Sequence, residues 1–553
     1  MDNNILNNYM NITLNRDKSF FIFRNARIVN VISDEVKKCD IAVCNGTIVA
    51  ISDYLENIKA DDEIDLKGKF VCPGFINTYT VLESSLMSLQ DYDMLSLKNG
   101  TTTFVADLTN VYNIAGYSGI ANYLKESENL NCNPYFLLPV SALKNENISQ
   151  ILSCDSILGL TVSPDDLSDS QNYKHIFESL NHTKIKNILP VMPLYSENNI
   201  KNLSLFSTCA IVGASSVEEA SQVLRAGKSL SIRDGSYVNN VRNIIVGAIR
   251  NFLPMNVFSF NTYLKNAKDL INDGFINASV KKAVNAGLNP VYAVKMATIN
   301  ASSVYSLNHL GSISVGKQAD MVVLNDLTSV DIDSVYVKGK CVNKSSSAPY
   351  YPPNFFNTIS TKKLKPDILS VDPIDNITVI KILNDSMTTF CSDKKSSENF
   401  DSLNKIFVSD KNFDNTSIAY IENIGIKNAA VASSISLQND IISIGDNDDD
   451  MFLALNRLQQ SGGGIVIVSN NTVVSEIHLP VLAAVSKLPV KKLLEQITEF
   501  ESNLQNINFN SKLNLFSVLN NITSTNIPKV KITPNGIFDV LSKSFVNLKP
   551  QNK

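Results

Sequence analysis

Apolar positions near the start of the chain come in short strand-like runs broken by turns. Phe20-Phe21-Ile22-Phe23 and Ala26-Arg27-Ile28-Val29-Asn30-Val31 predict two strands, and Asp40-Ile41-Ala42-Val43 a third. Asn45-Gly46 separates this run from Thr47-Ile48-Val49-Ala50-Ile51, which predicts a hairpin because both turn residues tolerate positive φ. The same texture returns later. Asp320-Met321-Val322-Val323-Leu324 reads as a strand, and Ser334 to Lys340 as a strand running into a turn.

Between these ends strands and helices alternate. Thr101 to Ala106 and Pro134 to Pro139 predict buried strands. Ser215-Ser216-Val217-Glu218-Glu219 offers two overlapping capping boxes, Ser215/Glu218 and Ser216/Glu219, ahead of the helical stripe Val217, Ala220, Val223 and Leu224. Asn289-Pro290 starts another helix, with proline at its first position. Such alternation predicts a (β/α) barrel, with a small β domain assembled from the segments on either side. Residues 346–366 form a proline-rich connection without periodicity, and a second α/β block follows. Its marks are Ile441 to Asp450, Gly462-Gly463-Gly464 leading into Ile465-Val466-Ile467-Val468, and Pro528 to Val540. The triple glycine feeds a strand and not a helix, so it is not read as a phosphate loop. The acid run Asp446 to Asp450 is expected to be a solvated turn.

Composition narrows the partners. The chain has 553 residues, 44% of them apolar and 18% charged, which allows several cores and excludes a disordered polymer. Net charge is −4 and no window is densely basic, which argues against a nucleic-acid or anionic-membrane surface. Neither a signal peptide nor a membrane-length apolar run is seen, so a soluble cytoplasmic protein is expected. The eight cysteines (Cys39, Cys44, Cys72, Cys132, Cys154, Cys209, Cys341 and Cys391) show no CxxC spacing and are read as reduced thiols.

The chemistry-bearing motif is Pro73-Gly74-Phe75-Ile76-Asn77-Thr78-Tyr79-Thr80-Val81-Leu82-Glu83-Ser84-Ser85. It resembles the Pro-Gly-Phe-Ile-Asp-x-His-x-His stretch of the metal-dependent amidohydrolases. Further matches follow in order: Asn25 to Asn30 before it, then Asn99 to Thr103 with Ala106-Asp107, Ile232 to Ser236, Met296 to Asn300, Leu310 to Ile313 and Gly316 to Asp320. Gly445 to Asp448, Gly462 to Gly464 and Gly536 to Val540 complete the series. Together these resemble the adenine deaminase family of that superfamily, over nearly the whole chain.

The resemblance implies a (β/α)8 TIM-type barrel of the amidohydrolase type, a small composite β-sandwich domain and a C-terminal α/β domain. It divides the chain into an extension at 1–18, the composite domain at 19–72 and 310–345, the barrel at 73–309, a linker at 346–366 and a C-terminal domain at 367–553. The family reaction is adenine plus water to hypoxanthine plus ammonia, with Mn or Fe supplying an activated water. In this sequence the family's His-x-His falls on Tyr79 and Val81, and the acid before it on Asn77. Asp-Pro-His-Glu becomes Asp107-Leu108-Thr109-Asn110, and the ligand glutamate falls near Thr161-Val162-Ser163. The Gly-His-Ala-Pro-Gly turn finds no counterpart around Val191 to Ser196, and Ser-Asp-His-Glu falls on about Ala210 to Gly213. The barrel-end aspartate pair falls within Asn261-Thr262-Tyr263-Leu264, and the histidine loop of the C-terminal domain reads Ser434 to Asn439.

The four histidines, His175, His182, His309 and His478, match no family metal position. The expectation is therefore a catalytically inactive pseudoenzyme without metal, in a regulatory, scaffolding or purine-binding role. Its alternative is an active metal-dependent adenine deaminase using substitute ligands. Asn77, Tyr79, Glu83 and Asp107 are the residues expected to line the former active-site pocket and to face a purine. Arg233 is read as an anion ligand or, with more weight, a salt bridge across barrel strands. A homo-oligomer, or a hetero-oligomer with an active paralogue, is the expected assembly.

Overall fold

The computed structural model describes residues 19–53, 55, 60–163, 166, 172, 174–176, 178, 187–191, 210–342, 349–371, 376–383, 389–395, 403–525 and 529–546. Two compact units emerge. The first comprises Met1–Val81, Leu89–Asp107 and Leu124–Ala348, and the second Leu82–Ser88, Leu108–Tyr123 and Pro349–Lys553. His182 and Cys209 lie outside the described residues.

In the first unit the chain opens with β1 (Ser19–Asn30), β2 (Glu35–Cys44), β3 (Thr47–Ser52), β4 (Ala60–Asp65) and β5 (Phe70–Pro73). The two strands expected near the start are one. Asn25 takes φ 55 and the register with β2 shifts between Phe23 and Ala26, so a bulge carries the strand through what reads in sequence as a break. Asn45 and Gly46 have φ 49 and 78, the double positive turn expected between β2 and β3.

The barrel strands follow as β6 (Phe75–Thr80), β7 (Thr101–Asp107), β8 (Asn133–Pro139), β9 (Ile157–Val162), β10 (Asn187–Pro190), β11 (Ile211–Val212), β12 (Leu230–Arg233) and β13 (Phe258–Asn261). β6 to β10 pair in parallel in chain order, and so do β11 to β13. Single parallel bridges from Val191 to Val212 and from Thr80 to Tyr263 close both seams, and eight parallel strands form a ring. Strands covered on both faces need no polar alternation, which is why every residue of β7 is buried. All eight C-terminal ends lie at the barrel face where this architecture places its chemistry.

β14 (Met321–Asp326), β15 (Asp331–Val337) and β16 (Lys340–Cys341) then return to the first sheet, where β14 pairs with β5. Phe23, Ile28, Ile41, Val71, Met321 and Tyr336 share one core there. Asp320 accepts hydrogen bonds from Asn133 Nδ2 at 2.6 Å and the Lys338 amide at 2.9 Å, tying this sheet to β8.

The helix Val217–Arg225 is capped by Ser216, whose Oγ accepts from the Glu219 amide at 3.2 Å. The Glu219 carboxylate turns back to the Ser215 amide at 2.7 Å and not to that of Ser216, so the second of the two expected boxes is half formed. Asn289 caps the helix Pro290–Ala297 through the Val291 amide at 2.9 Å.

The second unit holds β17 (Asn376–Ile382), β18 (Thr389–Lys395), β19 (Leu403–Ser409), β20 (Thr416–Glu422), β21 (Ala429–Ser433), β22 (Ile441–Gly445), β23 (Gly464–Ser469) and β24 (Thr472–His478). They form one sheet in the order β18-β17-β20-β19-β22-β21-β23-β24. The helix Asp448–Ser461 packs Met451, Ala454, Leu455 and Leu458 against Phe407, Val466 and Val468. The acid run is thus not a solvated turn. Asn447 caps the helix on the Asp450 amide at 2.8 Å, and Asp450, only 2% exposed, accepts from the Asn471 amide at 2.7 Å. Acids in a first turn complement the helix dipole, which the composition of the run alone does not reveal. Among the described residues no helix is long and apolar enough to cross a membrane.

Candidate functional site

Tyr79 and Asp107 are brought together at the mouth of the barrel. Tyr79 sits one residue before the end of β6 and Asp107 ends β7, so the parallel pairing of these strands sets them side by side. The Tyr79 hydroxyl donates to Asp107 Oδ2 at 2.7 Å, and both residues are buried. Burial, with Asp107 close by, pushes the phenol well above its usual range, so it keeps the proton that it donates to Asp107. The Tyr79 ring stacks on Tyr263, just beyond β13, at 6.0 Å between centroids. Over the Tyr263 ring, 5.5 Å from its centroid, lies the guanidinium of Arg233, the last residue of β12. Arg233 donates to the Gly213 carbonyl at 2.6 Å and to Asn240 Oδ1 at 3.2 Å. Its described partners are therefore a carbonyl, an amide oxygen and an aromatic face, not the expected salt bridge.

Asn77 lies elsewhere, in the seam between β6 and β13. Its Oδ1 accepts from the Thr262 amide at 3.1 Å, and its Nδ2 donates to Thr262 Oγ1 at 2.8 Å and Tyr92 OH at 3.1 Å. Fully buried, it closes the ring. A second chain of hydroxyls crosses the interior: Asn261 Nδ2 donates to Ser231 Oγ at 2.6 Å, Ser231 and Thr78 share a 2.6 Å bond, and Thr78 Oγ1 donates to the Phe260 carbonyl at 2.8 Å. Tyr305 OH adds a bond to the Thr78 carbonyl at 2.7 Å. Tyr263, Arg233 and Tyr305 complete this mouth, and sequence reasoning had not grouped them with Tyr79. The available signal was a bulky tyrosine, Tyr263, at the position where the resemblance expects barrel-end acids.

Glu83 belongs to the second unit, where its charge acts on Tyr123 and Lys411. Burial pushes the Lys411 amine down to about 7, against the upward pull of Asp440 and Glu83. Burial likewise pushes the Asp440 carboxyl up to about 6. The two groups act in different pH windows. An unfolded lysine holds its proton to about pH 10, so above about pH 7 the unfolded chain binds more protons at this site and stability rises with pH. Asp440 is the reverse: the folded state holds the extra proton between about pH 4 and about pH 6, and its contribution falls across that window. Lys531, also pushed down to about 7 by burial, adds to the rise. Urea unfolding of wild type and Lys411→Met at pH 7 to 8.5 is therefore expected to show a shallower rise in the variant. Parallel profiles would mean that Lys411 is not held neutral by the fold.

The residues at the mouth do not fit a divalent ion of the amidohydrolase kind. Such an ion takes imidazole nitrogens and carboxylate oxygens. At and just beyond the described strand ends stand two carboxylates, Asp107, with one oxygen already accepting a phenol proton, and Asp234, taken up by Lys282, Ser279 and Asn239, beside the guanidinium of Arg233 and the amide of Asn261. His309 instead meets Tyr135 OH through Nε2 at 3.2 Å, and His478 Nε2 meets the Ser461 carbonyl at 2.8 Å. Among the described residues no group of three His, Cys, Asp or Glu side chains gathers as a cation site.

Two family models match the chain: the adenine deaminase C-terminal domain over residues 385–544 and the amidohydrolase family over residues 255–342. Similar curated proteins align almost end to end. An adenine deaminase of Petrotoga mobilis is 28% identical over 97% of this chain and 98% of that protein. One from Kosmotoga olearia is 29% identical over 95% and 96%, and one from Bacillus subtilis 28% identical over 99% and 100%.

Proposed function

Because the chain belongs to the adenine deaminase family of amidohydrolases, we propose that it is a member which keeps the framework and no longer hydrolyses adenine, serving instead as a regulatory or scaffolding subunit. The observation that carries this reading is the bond from Tyr79 to Asp107. Deamination by hydrolysis needs a water made nucleophilic and a group that passes protons to the leaving ammonia. Asp107 already accepts a proton donor. Tyr79 keeps its phenol proton, and a guanidinium cannot give one up at neutral pH. Asn77 and Thr262 saturate each other across the ring seam.

A subunit role draws on what persists: barrel, composite sheet and C-terminal domain, aligned over nearly the full length of relatives named adenine deaminase. In that role the chain assembles with itself or with an active family member through framework surfaces. A purine held against Tyr79 and Tyr263 fits this reading less well, since Tyr79 is 3% exposed and already stacked.

The test is adenine turnover by protein reconstituted with Mn²⁺ or Fe²⁺, with bound metal measured in the same sample. We expect no hypoxanthine above background and metal well below one ion per chain. Stoichiometric metal with turnover overturns the reading in favour of an active adenine deaminase with substitute ligands, the alternative supported by the end-to-end similarity. Co-expression with an active family member then examines assembly, and absence of any mixed or homomeric complex removes the scaffolding role.

A further inference from the structure

We propose that a cleft at the face where the barrel strands begin, opposite the Tyr79 and Asp107 mouth, is a binding site for a small zwitterion of the amino-acid kind. The cleft measures about 460 Å³. It lies between the end of the helix Leu89–Lys98, the first half of the helix Ile276–Asn285 and the turn from β14 to β15. Lys98 and Asn99 come just before Thr101, the first residue of β7, and Asp107 is its last, so cleft and mouth are a strand length apart.

Four charged side chains line the cleft, Lys98 and Lys281 of one sign, Asp273 and Asp331 of the other. None of the four makes an ion pair among the described residues. Asp331 accepts from Asn325 Nδ2 at 3.1 Å, and Asp273 pulls the Lys265 amine up, behind the stronger pull of Asp234, so the two lysines stay unquenched. A dianion would meet two carboxylates here, and a divalent cation two ammonium groups. A ligand with one charge of each sign meets neither obstacle. The remaining polar lining suits a polar side chain. Asn277 Nδ2 donates to Asn99 Oδ1 at 3.2 Å, Asn277 Oδ1 accepts from the Phe275 amide at 2.8 Å, and Asn99 Nδ2 donates to the Leu95 carbonyl at 2.9 Å. Both amides are thus fixed, and each keeps one N–H for a ligand. No aromatic ring stands among the described lining residues, so a base finds no face to stack on. One wall is strained: Val330 has φ 55, which a β-branched residue avoids, and is 6% exposed. Ser329 holds that turn, its amide and hydroxyl both donating to Asp326 Oδ1, at 2.7 and 2.8 Å. Strain kept at the wall of a cleft points to a shape that is used.

The experiment is titration of the full chain with L-glutamine at low ionic strength, followed by ligand-observed NMR. N-acetyl-L-glutamine, which lacks the ammonium, and L-glutaminamide, which lacks the carboxylate, are titrated beside it. L-Glutamine is expected to saturate with a dissociation constant on the order of 1 mM, since solvent-exposed charge pairs are individually weak. Each blocked form, and added salt at about 0.5 M, is expected to weaken binding about tenfold. Lys281→Gln and Asp331→Asn are each expected to do the same while melting within about 2 °C of wild type, because both side chains are exposed. Asp273 is left in place because it also acts on Lys265. Equal binding of either blocked form overturns the zwitterion, and unchanged binding by either variant overturns the site. Absence of saturable binding up to about 20 mM overturns the proposal outright. None of these outcomes touches the non-hydrolytic reading, which concerns the opposite face of the barrel.

Discussion

Replacing Asp234 by alanine is expected to cost the first unit about 3–5 kcal/mol, because it strips the counter-charge from the buried Lys265 and removes the partner of Lys282. Asp234 directly follows Arg233 and is fully buried. It accepts from Lys282 Nζ at 2.6 Å, Ser279 Oγ at 2.7 Å and Asn239 Nδ2 at 2.6 Å, and faces Lys265 Nζ at 3.9 Å. Lys282 can reach water once its partner is lost, as its side chain is 32% exposed, whereas that of Lys265 is 2% exposed. Burial already pushes the Lys265 amine down, and Asp234 is the foremost group holding it up. In the variant the amine falls further, so its folded form sheds the proton that the unfolded form keeps. Stability then rises with pH over a wider range than in wild type, and the deficit shrinks as pH increases.

Urea unfolding of Asp234→Ala and Asp234→Asn at two pH values checks both size and sign. The asparagine keeps the shape and loses the charge, so a similar loss in both variants assigns the effect to electrostatics. A loss below about 1 kcal/mol in Asp234→Ala, typical of a surface pair, would mean that the lysines are not held by this carboxylate. The loops after β12 and β13 share this cluster, the first following directly on Arg233 and the second carrying Tyr263, so loosening it also disturbs the mouth.

How much of this was legible depends on how local each interaction is. The Asn45-Gly46 hairpin, the Asn289 cap and the β7 and β8 strands are determined by neighbours in sequence, and all are found. The barrel followed from alternation and from a motif whose glycine is tightly packed: a Cβ on Gly74 would lie 2.1 Å from Thr102 Oγ1. Side-chain partners were far less legible. Tyr79 and Asp107 were both named, but their bond depends on adjacent parallel strands, and the Tyr263 and Arg233 continuation depends on ring closure through β12 and β13. Asn77 has the chemistry of a pocket residue, yet the same closure spends both ends of its amide on Thr262 and Tyr92. Glu83, only four residues after Tyr79, serves a different unit, because the chain leaves the first unit at Val81.

The triple glycine gives the sharpest test of frame against chemistry, and Gly464→Ala is expected to destabilise the second unit by about 3–5 kcal/mol from backbone strain and overpacking together. Gly464 begins β23 with φ 140, a conformation that L residues avoid, and a Cβ there would lie 2.0 Å from the Ile477 carbonyl on β24. That neighbour is backbone within a sheet and cannot swing aside. Gly463, at φ 132, is similarly confined, 2.5 Å from Ala483 Cα. Gly462 differs: it ends the helix Asp448–Ser461 at φ 75, the left-handed cap position, with nothing closer than 4.0 Å to its added carbon. Gly462→Asn is accordingly expected to cost under about 1 kcal/mol, since asparagine accepts that conformation. Denaturant titration of the two variants side by side separates the explanations. A phosphate-binding loop would present free amides, but the Gly462 amide donates to the Gln459 carbonyl at 3.1 Å and the Gly464 amide to Ser434 Oγ at 2.8 Å. Equal and small losses would refute the packing account. A large loss at 464 with tolerance at 462 would place the need for glycine in the packing of β23 against β24.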